Sequence, residues 1–494
     1  MKIRYVVSAV MAACLAASPV LAQNDEDNSV KLMPLSMGSL IDFGQVVKGK
    51  WNESVQDGNY IQRTSIWFTQ EIRVSERLQV RAGVGGMFWY DIENPPPGEA
   101  NVRPFVTSTK FGPGISRADM EYRFGDPAKP VATLQAGFFP YKYNPDAANL
   151  GEYLLRSGAY PGYLSNGGWN LMGNGYMMQG VRVSVPMFGG KVLHDFLLPV
   201  ERDLPPTGDL SPSYIVTATP VRGVELGGGV SCHHCVAVKP SVTSPEVRYG
   251  EDATEFGNGS GIIRENPNFN SSLPATDLTG GRVDGVAGAT PYNPRYIYDS
   301  TSFYTFQGVK LMARASFDPK AYIPLTMLGP EDLKVFGEIA LLGVKDYDFY
   351  YEKKTERMPM MFGFNAPIFP VMGVRVLDLL SFQMEYYNSP FPNSIENAYR
   401  YQMPTLSFVN SGPSGTISEQ DPNLFRRDLD DVTKDNWKWS LLAKKTFIRG
   451  LTLYAQAAND NQRLVNYNAV QSYAPITNLE WKDWYYLVRL EMGI

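Results

Sequence analysis

The eleven residues Trp484-Tyr-Tyr-Leu-Val-Arg-Leu-Glu-Met-Gly-Ile494 alternate in character without a break. One phase, Trp484, Tyr486, Val488, Leu490, Met492 and Ile494, is wholly apolar or aromatic. The other, Tyr485, Leu487, Arg489, Glu491 and Gly493, holds both charges. Successive side chains of a strand point to opposite faces, so this segment reads as a strand with one greasy and one wet side. Strands of soluble sheets also alternate, but most are about five to six residues long. A tilted strand needs about nine to eleven residues to cross a bilayer, and this one has them.

The pattern recurs. Leu78, Val80, Ala82, Val84, Gly86, Phe88 and Tyr90 interleave with Gln79, Arg81, Gly83, Gly85, Met87 and Trp89, and Val309, Leu311, Ala313, Ala315 and Phe317 interleave with Lys310, Met312, Arg314 and Ser316. Arg117–Phe124 and Trp437–Lys444 behave in the same way. Alternation alone does not separate a sandwich from a membrane barrel, but connection lengths do. Turn signals place strands at 38–47, 61–75, 77–91, 116–125, 131–139, 178–187, 191–200, 213–220, 223–231, 306–317, 334–343, 358–366, 376–388, 436–447, 450–459 and 482–494. Short links such as Ser75-Glu76-Arg77, Phe188-Gly189-Gly190 and Ile448-Arg449-Gly450 alternate with long polar ones at 92–115, 140–177, 201–212, 232–305, 389–435 and 460–480. Pro-rich Asn94-Pro95-Pro96-Pro97-Gly98 falls in one of these loops, and 318–333 is an unusually long link on the short side. A compact soluble domain has little use for so many long loops, whereas an outer-membrane barrel carries short periplasmic turns and long outer loops. The expected fold is therefore all-β: a transmembrane antiparallel barrel of about 16 strands, within a range of 14–18. A barrel of that size leaves an aqueous channel.

Composition agrees. Charged residues are 19% of the 494, below the roughly 25% usual in soluble domains, while Tyr (29) and Phe (25) are plentiful. A mean hydropathy of -0.22 excludes a bundle of membrane helices. The net charge of -5 leaves no footprint for nucleic acid. Lys2 and Arg4 precede the apolar run Val6–Ala17, and Val20-Leu21-Ala22 offers small residues before Gln23. This reads as a secretory signal over 1–22, preferred to a membrane anchor or to lipidation at Cys14, for which Met11 is a poor fit. A polar leader over 23–37 and a barrel over 38–494 follow. Removing Lys2 and Arg4 leaves 43 basic against 50 acidic side chains, a charge of -7.

The last strand resembles the C-terminal strand by which outer-membrane barrels are recognised and inserted, although that family usually ends in Phe or Trp and this chain ends in Ile494. The loop over 140–177 carries helix signals: Asn144 as N-cap, Pro145 in the first turn, Asp146, Glu152, Arg156 near the end and Gly158 as stop, with Leu150, Tyr153, Leu154 and Leu155 as an apolar edge. Here the chain resembles porins whose third loop folds into the lumen. Gly137-Phe138-Phe139-Pro140 through Leu150-Gly151-Glu152 to Gly180-Val181-Arg182 is loosely similar to the phosphate-selective porin group. The resemblance implies a constriction loop; the bland alternative is a surface loop packed on the rim.

The inward phase of the strands has a readable charge. Its basic members are Arg63, Arg73, Arg81, Arg117, Arg123, Arg182, Lys310, Arg314, Lys334, Lys438, Lys444 and Arg489, twelve against the seven acids Glu71, Asp119, Glu121, Glu225, Glu338, Glu385 and Glu491. A lumen lined with one sign concentrates solutes of the other, so a mild anion preference is expected. The competing expectation is that these charges pair across strands and select nothing.

Cys232-His233-His234-Cys235 lies where a strand enters the longest loop. In an oxidising compartment a Cys232–Cys235 disulfide is the first reading. Four adjacent residues make an awkward tetrahedral metal site, and a mixed site with Glu251, Asp252 and Glu255 has no further support. No cofactor and no metal are expected. His194 beside Asp195 lacks a serine in a nucleophile elbow, and the acids Asp428, Asp430, Asp431 and Asp435 lack the Gly and terminal Glu of a calcium loop, so no enzyme is expected. The expected role is passive diffusion of small hydrophilic solutes across the outer membrane. Lipid, the solutes and the assembly machinery are the partners, and a homo-oligomer is left open. The rival is a surface adhesin holding a polymer through 232–305, where Tyr292, Tyr296, Tyr298, Phe303 and Tyr304 offer stacking faces.

Overall fold

A computed structural model describes residues 30–51, 54–55, 60–91, 108–148, 150–156, 176–201, 208–238, 261–265, 267–273, 293, 296–303, 307–323, 327–346, 353–370, 374–388, 436–459 and 482–493. The signal segment, the Pro-rich stretch, the acids at 251–255 and 428–435, and Ile494 lie outside them, as do the side chains of the loop aromatics at 292–304.

Sixteen strands form one closed ring among the described residues. They are β1 (Ser36–Lys48), β2 (Tyr60–Arg73), β3 (Leu78–Asp91), β4 (Ser108–Asp126), β5 (Lys129–Tyr141), β6 (Tyr176–Met187), β7 (Val192–Pro199) and β8 (Ser213–Val221). The second half comprises β9 (Val224–His233), β10 (Gly308–Phe317), β11 (Val335–Leu341), β12 (Met360–Asn365), β13 (Leu379–Tyr386), β14 (Trp437–Ile448), β15 (Leu451–Ala458) and β16 (Trp484–Gly493). Every strand pairs antiparallel with its neighbours in sequence, and β16 closes on β1 over Gly38↔Gly493 to Lys48↔Trp484. Each of the sixteen expected segments coincides with one of these strands.

One boundary differs by more than three residues. β4 begins at Ser108 rather than 116, because Ser108–Ile115 continues the ladder against Val84–Asp91 beyond a bulge at Gly83/Val84. Phe111-Gly112-Pro113-Gly114 reads as a loop in sequence, yet a bulged strand accommodates Gly and Pro. The leader is likewise not wholly separate: Lys31–Leu32 pairs with Arg73 and Ile72 at the foot of β2.

The barrel is inside-out. Ile41, Phe43, Phe68, Phe88, Met120, Leu311, Phe362 and Val488 are exposed on its outer face, and their strand neighbours Asp42, Asp119, Lys310 and Arg489 are buried inside. No water reaches a bilayer core, so only a closed ladder satisfies every backbone group there. The chain is a transmembrane β-barrel. Its links at one end are as short as Pro127-Ala128 and Arg222-Gly223. The two longer ones at that end brace each other: Asp332 accepts from the Gly329 amide at 2.9 Å and from Arg375 at 2.5 Å, and Asn365 Nδ2 donates to the Glu331 carbonyl at 2.9 Å.

Gly137 and Gly180 are directly paired across β5 and β6, with φ of 121° and 157°. A Cβ on Gly137 would run into the carbonyl oxygen of Ala118 on β4. Gly137→Ala is expected to destabilise the folded barrel by about 1–3 kcal/mol, the cost of holding a side chain in that backbone region. A lower temperature for conversion of the fast-migrating folded band to the unfolded band on gels checks this.

Candidate functional site

The chain leaving β5 turns into the barrel. Asn144-Pro145-Asp146 forms a turn in which the Asp146 amide donates to Asn144 Oδ1 at 3.3 Å. Gly151 and Glu152 both have left-handed backbones, φ 83° and 60°. That break corrects the expected helix: Asn144 caps a turn, and α1 spans only Tyr153–Arg156. The Glu152 carboxylate, expected in a helical turn, reaches back to accept from the Asn144 amide at 2.6 Å and closes the loop on itself.

The loop is fastened to the opposite wall by one carboxylate. Glu338 on β11 accepts from the Tyr143 hydroxyl (2.6 Å), Asn144 Nδ2 (2.7 Å), the Tyr153 amide (2.9 Å) and the Glu152 amide (3.0 Å). Nearby, Tyr153 donates its hydroxyl to Glu385 Oε2 at 2.9 Å, and the Leu150 amide donates to Gln383 Oε1 at 3.2 Å. Lys334 Nζ stands 2.6 Å from Asp146 Oδ1. Hydrogen bonds with an ionised partner are the stronger kind, and four of them converge on Glu338.

Apolar packing reinforces the latch. Leu150, Tyr153 and Leu154 are buried against inward-facing Ile215, Met312, Phe336 and Met361, with Phe139, Met178 and Leu197 in the same cluster. Each such side chain contributes about 1.5–3 kcal/mol on full burial. This part of the inner wall is therefore apolar and covered by the loop.

The remaining inner wall, on β16 and β1–β4, is ionic. Asp42 lies between Arg63, whose Nε and guanidinium tip reach it at 2.9 and 2.7 Å, and Arg489, at 2.6 and 2.9 Å. Next to this seam, Arg81 bridges Asp119 (3.0 Å) and Glu121 (2.6 Å), Arg117 pairs with Asp119 (2.6 Å), and Arg123 with Glu121 (2.9 Å). Arg123 and Arg117 are 41% and 23% exposed, while Glu121 and Asp119 are 16% and 0%. The two most accessible charges among these pairs are thus guanidiniums, with Glu121 partly accessible beside them. The five arginines of this wall outnumber the three acids they pair with.

The other expected lining residues are scattered. Arg182 pairs with Asp195 (2.9 Å) and lies over the Tyr141 ring, Arg314 pairs with Glu225 (2.6 Å), and Arg73 with Glu71 (3.0 Å) at the short-turn end. Lys310, Lys438 and Glu385 are on the inward phase but covered, so they present no charge to water; Glu385 sits under Tyr153, and Lys438 is its partner in register. Of the loop residues, Asn144, Asp146 and Glu152 are brought to the wall, and the Arg156 side chain lies outside the described residues. Two inward acids escaped the sequence tally, Asp42 and Asp195. In Leu40–Val47 and Val192–Leu198 both strand phases are largely apolar, so neither announces its inward side.

At the long-loop rim, Cys232 and Cys235 stand in bonding contact with Cα atoms 5.5 Å apart. His234 between them holds Asp209 Oδ2 at 3.0 Å. Burial, with Lys310 nearby and against the pull of Asp209, lowers the pKa of His234 to about 4, so the ring is neutral at neutral pH.

The fold and this interior define a sixteen-strand membrane barrel with the segment after β5 folded against its inner wall. No protein-family model matches the chain, and no curated protein matches it. Among solved structures it is similar to Salmonella typhi OmpF in complex with daunomycin, at 8% identity over 95% of this chain and 99% of that one, TM-score 0.39. It is also similar to a triple mutant of Rhodopseudomonas blastica porin, at 7% identity over 94% and 100%, TM-score 0.37. The architecture rests on the chain's own closed ladder.

Proposed function

We propose that the protein is an outer-membrane channel through which small hydrophilic solutes diffuse, with the loop at 142–156 as its constriction and a mild preference for anions. The observation that carries this reading is the loop latched inside the barrel to Glu338, with a wall beside β1 on which arginines outnumber the acids they pair with and Arg117 and Arg123 are the more accessible members of their pairs. A low-dielectric wall focuses such a field on a passing ion. Export through the segment 1–22, insertion by the assembly machinery and association of copies in the membrane belong to the same reading.

Planar bilayers test it. Purified protein is expected to insert in large stable conductance steps, with reversal potentials in a salt gradient favouring the anion. Arg117→Gln with Arg123→Gln removes the two most exposed guanidiniums of the track and is expected to move the reversal potential toward cations. Silent bilayers together with binding of a surface polymer would replace the channel with the adhesin. Cation preference in the unmodified protein would reject the selectivity.

A further inference from the structure

We propose that Glu201, His233 and His234 form a binding site for a divalent transition-metal cation of the zinc class at the long-loop rim of the barrel. One ligand atom from each residue lies within 4.8 Å of the other two. Ligands sharing a tetrahedral ion at bonds of about 2.0–2.1 Å stand roughly 3.3 Å apart. Closing on an ion thus takes an approach of up to about 1.5 Å, within rotamer reach of a glutamate and two imidazoles.

Three chain segments build the place, and backbone bonds hold them. Glu201 follows β7, and its amide donates to the Asp209 carbonyl at 2.8 Å. Leu210 and Val236 exchange amide–carbonyl bonds at 2.9 and 3.1 Å, tying this loop to the chain leaving β9. There the Cys232–Cys235 disulfide straddles the two histidines, and the turn it closes places His234 at φ 52°. A left-handed backbone at a residue with a side chain is kept only where its surroundings enforce it. Here they do: the His234 amide donates to Ser211 Oγ at 2.9 Å.

The surroundings also orient the ring. Asp209 holds His234 Nδ1 at 3.0 Å with one oxygen and accepts the Val238 amide at 2.8 Å with the other. A carboxylate on one imidazole nitrogen sets the tautomer and gives the lone pair to the other, Nε2, which is the arrangement behind most metal-bound histidines. Two imidazoles and one carboxylate suit zinc and its borderline neighbours rather than calcium or magnesium, which prefer oxygen alone. The sulfurs, joined to each other, take no part. Facing the site from β10 is Lys310, buried, in the field of both Glu201 and His234. Without an ion, Lys310 supplies the positive charge beside Glu201; a divalent cation takes over that place against its repulsion.

The test uses the full chain, oxidised, folded in detergent and verified by its unheated gel migration. Zinc chloride alone is titrated against a chromogenic chelator, and cobalt(II) is added for its absorption spectrum. A single ion per chain and a tetrahedral cobalt band are expected. Glu201→Gln and His234→Ala should each weaken binding at least about tenfold and Asp209→Asn about tenfold. Lys310→Met should tighten it, an effect that a purely structural Glu201–Lys310 pair would not produce. Absence of stoichiometric binding, affinity unchanged by Glu201→Gln, or weaker binding in Lys310→Met each overturns the site. If His234→Ala does not reach the folded form, Glu201→Gln and the cobalt spectrum decide.

Discussion

Glu338→Ala is expected to convert the channel into a wider and noisier one. Four donors, Tyr143, Asn144 and the amides of Glu152 and Tyr153, end on this carboxylate. Truncation leaves them buried without an acceptor, at about 1–3 kcal/mol each and less than additively. That loss works against what still holds the loop, namely the Lys334–Asp146 pair, the Tyr153–Glu385 and Leu150–Gln383 hydrogen bonds and the burial of Leu150, Tyr153 and Leu154, so the loop is expected to leave the wall in repeated transient openings. The barrel itself, closed by its backbone ladder, should still fold. Single-channel recordings should show a several-fold larger step with frequent transitions, and larger sugars should permeate proteoliposomes. Equal conductance and equal size exclusion in Glu338→Ala and the unmodified protein would show that the loop does not set the bore. Glu338→Gln is expected to be intermediate, since an amide keeps one acceptor oxygen but turns an NH2 toward a crowd of donors.

The second large effect is expected at Asp42→Ala. Its carboxylate is fully buried between Arg63 and Arg489, on the two strands that flank β1. Removing it strands two buried guanidiniums, and breaking a buried pair from one side costs about 3–5 kcal/mol. The heat-modifiability transition should fall accordingly, because the loss lies on the seam where the ring closes. Reversal potentials in any folded Asp42→Ala channel should move further toward anions, as a negative charge has left the wall. Asp42→Asn should keep part of the stability through hydrogen bonds while showing the same electrical shift. An unaltered transition temperature would mean that the two arginines find water or other acceptors.

How far the sequence was legible follows from the same physics. Strands such as β10 and β16 face lipid on one side and a polar interior on the other, so Val309–Phe317 and Trp484–Gly493 carry their orientation in a period of two. Wherever the third loop presses apolar side chains on the wall, that contrast fades. Leu197, Ile215, Phe336 and Met361 face inward yet are as apolar as their lipid-facing neighbours. Asp195 hides in such a strand, and Asp42 hides among Leu40, Ile41 and Phe43. Glu338 was visible as an inward acid, but its role was not, since its donors lie about 190 residues away and two are backbone amides. The helix signals from Asn144 onward promise a longer helix than forms, because nothing in them discloses the left-handed break at Gly151-Glu152. Glu201 joins the histidines only through the bridges of Leu210, which no spacing rule anticipates.

The clasp around Asp42 also bears on how such a ring finds its alignment. β1 and β16 are the most distant partners in the chain, and their outer faces are greasy enough to slide past one another in steps of two residues without changing what lipid sees. Inside, each step would set Leu40 or Gly44 against Arg489 and take its guanidinium off the Asp42 carboxylate. Only one offset satisfies both arginines at once. The triad thus favours the native offset of β16 on β1 over offsets two residues away.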